Sequence, residues 1–450
     1  MDLKGKIIIA VGLALTGEAV AAFCLAQGAE VIVADKASEF ELGERVQNVR
    51  AMGARVELGP HNFETFEKAD LIVISPGVPH TIPVLQAAAQ KGVPVIGEVE
   101  LASRFIKEPI VAVTGTNGKT TVTSLIGAML EASGISTFVG GNIGNPLVNY
   151  ANSEVKARVV VAEISSFQLD TIETFAPKVA LLTNVTEDHM DRYDGMAGYA
   201  ASKARVFENQ QAGDIAVLNG ADKWTRDMAG SIRAAKWYFT GTEPSESGTI
   251  INPDSIVFSK GEKTEWTLSL AKMTLAGQHN RENVAAAALA AYGVGANVEG
   301  IQKAVDTFKG LPHRLEFVRE VMDVLYYDDS KATNVDAVYR ALEGFHSPVH
   351  LIMGGRDKGG HFRDLAHMVE QKVVRIYVIG EASGVITSAL SGVMEIVQAG
   401  TMEKAVEFAK RAARPGELVV LSPGCASFDQ YKNYKERGQD FCRVVNALPA

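Results

Sequence analysis

The run Gly115-Thr116-Asn117-Gly118-Lys119-Thr120-Thr121 combines two glycines, a lysine and three hydroxyl side chains between an apolar run, PIVAVTG, and an apolar-periodic stretch. A strand, a glycine-rich turn and a helix N-terminus in that order form a cradle for phosphate, because backbone N–H groups and the helix dipole converge on the bound anion. Lys119 would set its ammonium beside the β and γ phosphates of a nucleotide, and the Thr120 hydroxyl would ligate Mg²⁺. The pattern GxxxxGK[ST] is not met in full, since Val113 stands where its first glycine belongs. The run therefore predicts a variant phosphate loop, which speaks for a nucleotide more strongly than for any one reaction.

Other polar residues fall where apolar runs end. Glu163 closes VVVAE and His189 lies in TNVTEDHMDRY after another such run. A carboxylate and an imidazole there suit Mg²⁺ at the rim where the loop lies. Near the N-terminus, Gly12-Leu13-Ala14-Leu15-Thr16-Gly17 imitates the dinucleotide fingerprint, with Asp35 at the expected acidic position and Ala14 in place of the middle glycine. That glycine lets a pyrophosphate approach the backbone, so NAD is disfavoured while a differently placed diphosphate is not. Ser75 to Pro79, SPGVP, is a second candidate anion contact. Towards the C-terminus, Asp329 to Asn334, Gly354 to Lys358 and Ser422 to Phe428 each follow an apolar run. An isolated lysine is ordinarily a solvated surface group. Lys331, Lys358, Thr333 and Ser427 on three such ends supply instead the cations and hydroxyls that suit a carboxylate substrate.

The elements that must position these residues follow from periodicity. KIIIAVG, GEAVAAFCLAQG and EVIVAD form a βαβ unit, and the alternation continues to PVIGEVELASRF. A second block opens at PIVAVTG, with a helix over about 121–133, strands at ARVVVAEIS, VALLTNV and DIAVLN, and shorter strands or a hairpin from about 245 to 267. A third restarts at DVLYYDDS and runs through VHLIMGGR, RIYVIGE and ELVVLSPG. The expectation is an α/β protein of three consecutive domains, 1–97, 98–309 and 310–450, the outer two Rossmann-like and the central one like a P-loop NTPase with a mostly parallel sheet. Such sheets bind ligands outside the carboxyl ends of their strands, where the polar clusters fall. A formal charge of -9 argues against broad attraction to nucleic acid or anionic membrane. Three cysteines without paired spacing suggest a reducing compartment, and the glycine-broken apolar run near the N-terminus is not a signal-peptide pattern. No run is long enough to span a bilayer, so no stable membrane insertion is expected. A cytoplasmic monomer is the default.

The ordered set GTNGKTT, EISSFQL, NVTEDHMDRY, GQHNRENVAAA, LPHRLE, DDSKATN, GGRDKGG and LSPGCASFDQY resembles the Mur ligase family. Within it the set is most similar to the enzymes that join D-glutamate to UDP-N-acetylmuramoyl-L-alanine. The likeness runs essentially end to end, and SSFQL with NVTEDHMDRY is more specific than the phosphate loop, which folylpolyglutamate ligases share. It implies UDP-substrate binding in the first domain, ATP in the second and the amino acid in the third. It also implies a reaction through an acyl phosphate, with ADP and phosphate released. By matched motif, Lys119 neutralises the transferring phosphate, Thr120 and Glu163 hold one Mg²⁺, and His189 helps hold a second. Lys203 matches a lysine carbamylated in the family. A carbamate would turn that cation into an anion able to position Mg²⁺, and it forms only from a neutral amine. Asn280, Asn283, Arg314 and Asp329 match nucleotide contacts, and Lys331 a residue near the reacting phosphate. Thr333, Lys358, Ser427, Phe428 and Tyr434 match contacts to D-glutamate, with His189 close to it. Leu15, Thr16, Gly77, Asn142 and Gln168 match UDP-substrate contacts, beside Asp35 and Lys36. Lys36-Ala37 stands where related enzymes can offer Thr-Arg, and Lys36 lacks the planar two-pronged geometry of arginine.

Two other classes remain in view. Another ligase of the superfamily, adding L-alanine, a diamino acid or glutamate to a folate, would keep the central domain. SSFQL, the short first domain and the absence of a DNPR-type motif weigh against it. A nucleotide-dependent switch would not need the DDSKATN and SPGCASF clusters.

Overall fold

The computed structural model of the chain describes residues 1–190, 192–243, 246–275, 277–345 and 347–449. Asp191 of the NVTEDHMDRY motif and Ser245, where the polar stretch was expected to begin, lie outside the described residues.

The alternation of apolar runs and amphipathic stretches resolves into three sheets. The first holds β1 (Ile7–Val11), β2 (Glu30–Asp35), β3 (Arg55–Leu58), β4 (Leu71–Ile74) and β5 (Val95–Gly97) in the order β3-β2-β1-β4-β5, all parallel. The order reverses between β1 and β4, so the turn after β1 sits at the switch point. Sterics explain the glycines of that turn. Gly12 has φ +91°, and a Cβ at Gly17 would lie 1.9 Å from the Gly12 carbonyl oxygen. The middle position carries no such demand, and alanine occupies it.

The second sheet holds β6 (Ile110–Thr114), β7 (Thr137–Gly141), β8 (Val159–Glu163), β9 (Val179–Leu182), β10 (Ile215–Asn219), β11 (Ala235–Thr240), β12 (Ser247–Ile251), β13 (Ser255–Lys260) and β14 (Lys263–Ser269). Its order is β14-β13-β12-β11-β10-β9-β6-β8-β7. The six strands β6 to β11 and the β11–β12 pair are parallel, whereas β12, β13 and β14 form an antiparallel meander. β6, β8 and β9 are buried at every position, as expected of central parallel strands that read as unbroken apolar runs. The meander accounts for the weak periodicity of that polar stretch.

The third sheet orders β15 (Glu316–Val321), β16 (Val324–Asp328), β17 (Val349–Gly354), β18 (Val373–Ile379), β19 (Ile396–Gly400) and β20 (Leu418–Leu421) as β15-β16-β20-β17-β18-β19. Only the β15–β16 pair is antiparallel. Here too the order reverses beside β20, and the carboxyl ends of β16, β20 and β17 are neighbours.

The chain divides into two compact units. The first comprises Met1–Asn184, Ala200–Leu270 and Val284–Val305 and carries the first two sheets; the second comprises Val185–Tyr199, Ala271–Asn283 and Asp306–Ala450 and carries the third. Within the first unit, Glu98 ties its two sheets together. Its Oε1 accepts from the Val148 amide at 2.8 Å, at the start of the helix Leu147–Ala151, and burial pushes its carboxyl up to about 7. Among the described residues no helix is long and apolar enough to cross a membrane.

Candidate active site

The phosphate loop lies between β6 and the helix Lys119–Ala132, which starts two residues before the predicted position. Gly118 caps that helix in the left-handed region with φ +86°, and Gly115 has φ +139°. A Cβ at Gly115 would fall 1.9 Å from the Thr183 hydroxyl. Residues just past β9 complete the loop's shape. The Thr116 amide donates to the Asn184 carbonyl at 2.9 Å and the Asn117 amide to Asn184 Oδ1 at 2.9 Å, while Thr183 Oγ1 donates to the Asn117 carbonyl at 2.6 Å. Lys119 Nζ folds back onto the Gly115 and Thr116 carbonyls at 2.9 and 2.8 Å. It is thus held over the loop that it is expected to serve.

Three candidate metal residues of the first unit surround this loop. Lys203, on the helix Gly195–Ala204, is 1% exposed and donates Nζ to the Gly115 carbonyl at 2.7 Å. Thr120 stands in the first turn of the loop's helix, half-buried. Glu163 ends β8, next to β6 in the sheet, and is 2% exposed. Its Oε1 accepts from Asn142 Nδ2 at 2.9 Å, but its buried Oε2 has no hydrogen-bond partner among the described residues. A buried carboxylate oxygen without a donor is costly. A divalent cation is the partner that this oxygen's chemistry fits.

The residues expected to hold the UDP substrate fall at two sets of strand ends. Leu15 and Thr16 open the helix Leu15–Ala26 after β1, Asp35 and Lys36 follow β2, and Gly77 follows β4. Ser75 Oγ donates to the Gly12 carbonyl at 2.8 Å and so joins two of these turns. The Asp35 carboxylate is committed to the backbone, accepting from the Leu13 and Ala37 amides at 2.6 and 2.8 Å. It shapes the turn that the fingerprint requires. Leu15 is 56% exposed, an apolar side chain largely open to solvent. Asn142 follows β7, where Gly141 is required because a Cβ would meet the Glu163 carbonyl at 2.4 Å. Gln168 closes a capping box with Ser165: its Oε1 accepts from the Ser165 amide at 2.9 Å.

In the second unit the loops after β16, β20 and β17 are stitched together. The Gly424 amide donates to the Ala332 carbonyl at 2.9 Å, and Arg356 and Ala426 exchange backbone hydrogen bonds at 2.8 and 3.0 Å. Beneath them lies Arg437, 1% exposed, on the helix Tyr434–Asn446. It donates Nε to Ser330 Oγ at 3.0 Å, Nη1 to the Gly354 carbonyl at 3.3 Å, and Nη2 to the Ser330 and Cys425 carbonyls at 2.8 and 3.1 Å. Burial brings its pKa down to about 10. One guanidinium therefore fixes all three polar loops. The sequence reading missed it, since an arginine on an amphipathic helix reads as a surface residue.

Lys331 lies with Nζ 4.0 Å from the centre of the Tyr434 ring, a cation–π contact. Thr333, Lys358 and Gly424 line a cavity of about 330 Å³ with Asp188, Asn334, Tyr339 and His361. Ser427 is buried on the same loop as Gly424, and Phe428 is 63% exposed. His189 holds φ +58° in the segment Val185–Tyr199, next to Asp188. Asp188 Oδ1 lies 2.6 Å from Lys358 Nζ, a contact between residues far apart in the chain that no local pattern announces.

Among the nucleotide candidates, Asn280 and Asn283 share one face of the helix Gln278–Gly293, Asn283 Nδ2 donating to Asn280 Oδ1 at 3.2 Å. Asp329 is buried and accepts from Ser422 Oγ at 2.9 Å; burial pushes its carboxyl up to about 7, against the pull of that bond and of Arg314. Beside Arg314, His313 is bonded to Asp328 Oδ2 at 2.6 Å, which raises the histidine's pKa above its ordinary value. Gly438 makes that pair possible, because a Cβ there would lie 2.3 Å from His313 Nδ1.

Comparison with known proteins follows the same divisions. Residues 6–97 match the family model described as Mur ligase MurD-like, N-terminal domain; residues 113–291 match the Mur ligase middle domain; residues 313–425 match the Mur ligase, glutamate ligase domain. Over 450 residues, all of both chains, the sequence is 79% identical to the UDP-N-acetylmuramoylalanine--D-glutamate ligase of Desulfatibacillum aliphaticivorans. It is 48% identical over 449 residues to the ligase of that name from Desulfosudis oleivorans, covering 100% of this chain and 98% of that one. The fold is similar to the MurF ligase of Thermotoga maritima, solved with ADP, at TM-score 0.63 and 17% identity over 98% of this chain and 95% of that one. It is also similar to a pseudomurein peptide ligase type C from Methanothermus fervidus, at TM-score 0.60 and 18% identity over 93% and 97%. With all three family segments in order and a full-length relative at 79% identity, the chain belongs to the Mur ligase family.

Proposed function

We propose that this chain is an ATP-dependent amide-bond ligase that adds D-glutamate to UDP-N-acetylmuramoyl-L-alanine in the synthesis of peptidoglycan precursors. The full-length likeness to ligases of that name carries the reading, and the chemistry at the strand ends is consistent with it. The substrate carboxylate attacks the γ-phosphorus of ATP, the bond to the bridging oxygen breaks, and ADP leaves. The neutral amine of D-glutamate then attacks the acyl carbon, its nitrogen gives up one proton to solvent, phosphate leaves, and the amide remains.

In this reading Gly115, Thr116, Asn117, Gly118, Thr120 and Thr121 cradle the phosphates. Lys119 leaves its two loop carbonyls to neutralise the transferring group. Mg²⁺, when bound, polarises the phosphate oxygens. Thr120 and the unpartnered oxygen of Glu163 are its proposed ligands, with His189 serving a second ion. Carbamylation of Lys203 adds CO₂ to the neutral amine, forming an N–C bond and releasing one proton; the resulting anion stands against the phosphate loop where the amine now lies. Asn280, Asn283, Arg314 and Asp329 hold the nucleotide, and Lys331 serves the reacting phosphate. Thr333, Lys358, Ser427, Phe428 and Tyr434 receive D-glutamate, with His189 beside it. Leu15, Thr16, Asp35, Lys36, Gly77, Asn142 and Gln168 form the UDP-substrate side. We assign these tasks to domains at 1–97, 98–309 and 310–450, with a cytoplasmic monomer as the working form.

The test is a substrate panel. Purified protein with ATP and Mg²⁺ should release phosphate only when UDP-N-acetylmuramoyl-L-alanine and D-glutamate are both present. Equal turnover with L-glutamate, or with no amino acid, would sink the assignment.

A further inference from the structure

The cavity bounded by Thr333, Lys358 and Gly424 is the one that the proposed reaction gives to D-glutamate, and the inference below rests on that reading. Its lysine already holds a carboxylate of the chain. Asp188 Oδ1 lies 2.6 Å from Lys358 Nζ, and Asp188 Oδ2 accepts from Asn334 Nδ2 at 3.3 Å. The other end of the Asn334 amide caps the helix Val335–Glu343, accepting from the Ala337 amide at 2.8 Å, so its donor is held in place. The Asp188 and Lys358 side chains are 11% and 23% exposed, which screens them less than a surface pair. Glu187, Asp336, Asp357 and Asp364 also line the cavity around Lys358, Glu187 paired with His361 at 2.9 Å and Asp336 with Arg340 at 3.1 Å.

A ligand carboxylate that takes Lys358 displaces Asp188 from its cation. If the ligand brings no positive charge, the little-exposed Asp188 carboxylate exchanges the lysine ammonium for the weaker company of the Asn334 amide and the His189 imidazole, 3.7 Å from its Oδ2, which is unfavourable. An amino acid brings an ammonium. We propose that Asp188 is a specificity-determining residue that exchanges partners on binding: the side-chain carboxylate of the substrate takes Lys358, and Asp188 takes the substrate's ammonium. Each charge keeps an opposite neighbour, and the site selects an amino diacid over a plain dicarboxylate of the same length.

The test reads Lys358 directly, without turnover. The full chain, its Asp188→Asn variant and its Asp188→Glu variant are treated with limiting acetic anhydride, and acetylation of Lys358 is followed by mass spectrometry, alone and with graded glutarate or D-glutamate. Lys358 should react several-fold faster in Asp188→Asn than in the unmodified chain, with Asp188→Glu close to the latter. D-Glutamate should protect the unmodified chain at lower concentration than glutarate, and in Asp188→Asn that preference should shrink as glutarate gains and D-glutamate loses. Equal labelling rates in the chain and Asp188→Asn, a parallel loss of protection by both ligands, or no protection by either in the unmodified chain would each overturn the proposal. If phosphate release proves independent of D-glutamate while the contrast in labelling and protection persists, the substrate assignment for the reaction fails and the partner exchange stands.

Discussion

The guanidinium of Arg437 donates to the carbonyl of Ser330 at 2.8 Å, at the foot of the loop that presents Lys331 and Thr333. The same group reaches the Gly354 and Cys425 carbonyls, so three loops take their places from one planar fork. Arg437→Lys keeps the charge but cannot span these acceptors. Buried carbonyls left without donors should lower stability by roughly 2–3 kcal/mol. We expect a lower urea midpoint together with a raised KM for the amino acid. An unchanged midpoint and KM would show that the loops hold themselves.

Lys203 and Gly115 make a similar contact in the first unit, Nζ to carbonyl at 2.7 Å. If the working form of Lys203 is an anionic carbamate, Lys203→Ala should lose nearly all phosphate release and regain part of it with added formate or acetate. Chloride at equal ionic strength should not restore it. Failure of every small carboxylate would count against carbamylation.

Glu163 leaves one buried oxygen without a donor among the described residues. Binding of an ion there stabilises the folded state, by about 1.4 kcal/mol at ten times the dissociation constant. Mg²⁺ without nucleotide should therefore raise the melting temperature of the chain and leave that of Glu163→Gln nearly unmoved. Equal shifts in the two would place the ion elsewhere.

Burial raises the Glu98 carboxyl from the ordinary 4.5 to about 7. The folded chain then holds a proton that the unfolded chain has released across that interval. Its stabilising contribution accordingly falls as pH rises from about 4.5 to about 7 and is level above. Glu98→Gln keeps an oxygen for the Val148 amide and removes the titration. The stability difference between the chain and this variant, measured by urea unfolding at about pH 5 and about pH 8, should favour the chain more at the lower value. The opposite sign would mean that folding lowers the pKa of this carboxyl rather than raising it.

What could be read in the sequence was local. The phosphate loop announces itself because strand, glycines, lysine and helix are contiguous, and the parallel strands do so because burial on both faces leaves unbroken apolar runs such as VVVAE and LIVI. Gly12 and Gly17 were visible as a fingerprint for the same reason. The bonds that Asp35 makes to Leu13 and Ala37 were not, since its type fits a ligand contact and a turn brace equally well. Distance in the chain hid the rest. Asp188 meets Lys358, Glu98 meets Val148, and Arg437 meets Ser330 only after the sheets have formed. No spacing rule links such pairs. The allocation of Val185–Tyr199 and Ala271–Asn283 to the second unit was equally hidden, because the first lies between strands of the central sheet in sequence and the second is followed by Val284–Val305, which belongs to the first unit.

The phosphate loop takes its shape from neighbours that make no claim on a ligand. Thr183 and Asn184 bind Thr116 and Asn117 through backbone and side chain, and the Thr183 hydroxyl occupies the space that any side chain at position 115 would need. These bonds are made by protein alone. The loop therefore has little conformational freedom left to surrender when an anion arrives, and more of the interaction energy appears as affinity. Recognition at this end of the molecule is closer to insertion into a mould than to the folding of a loop around its guest.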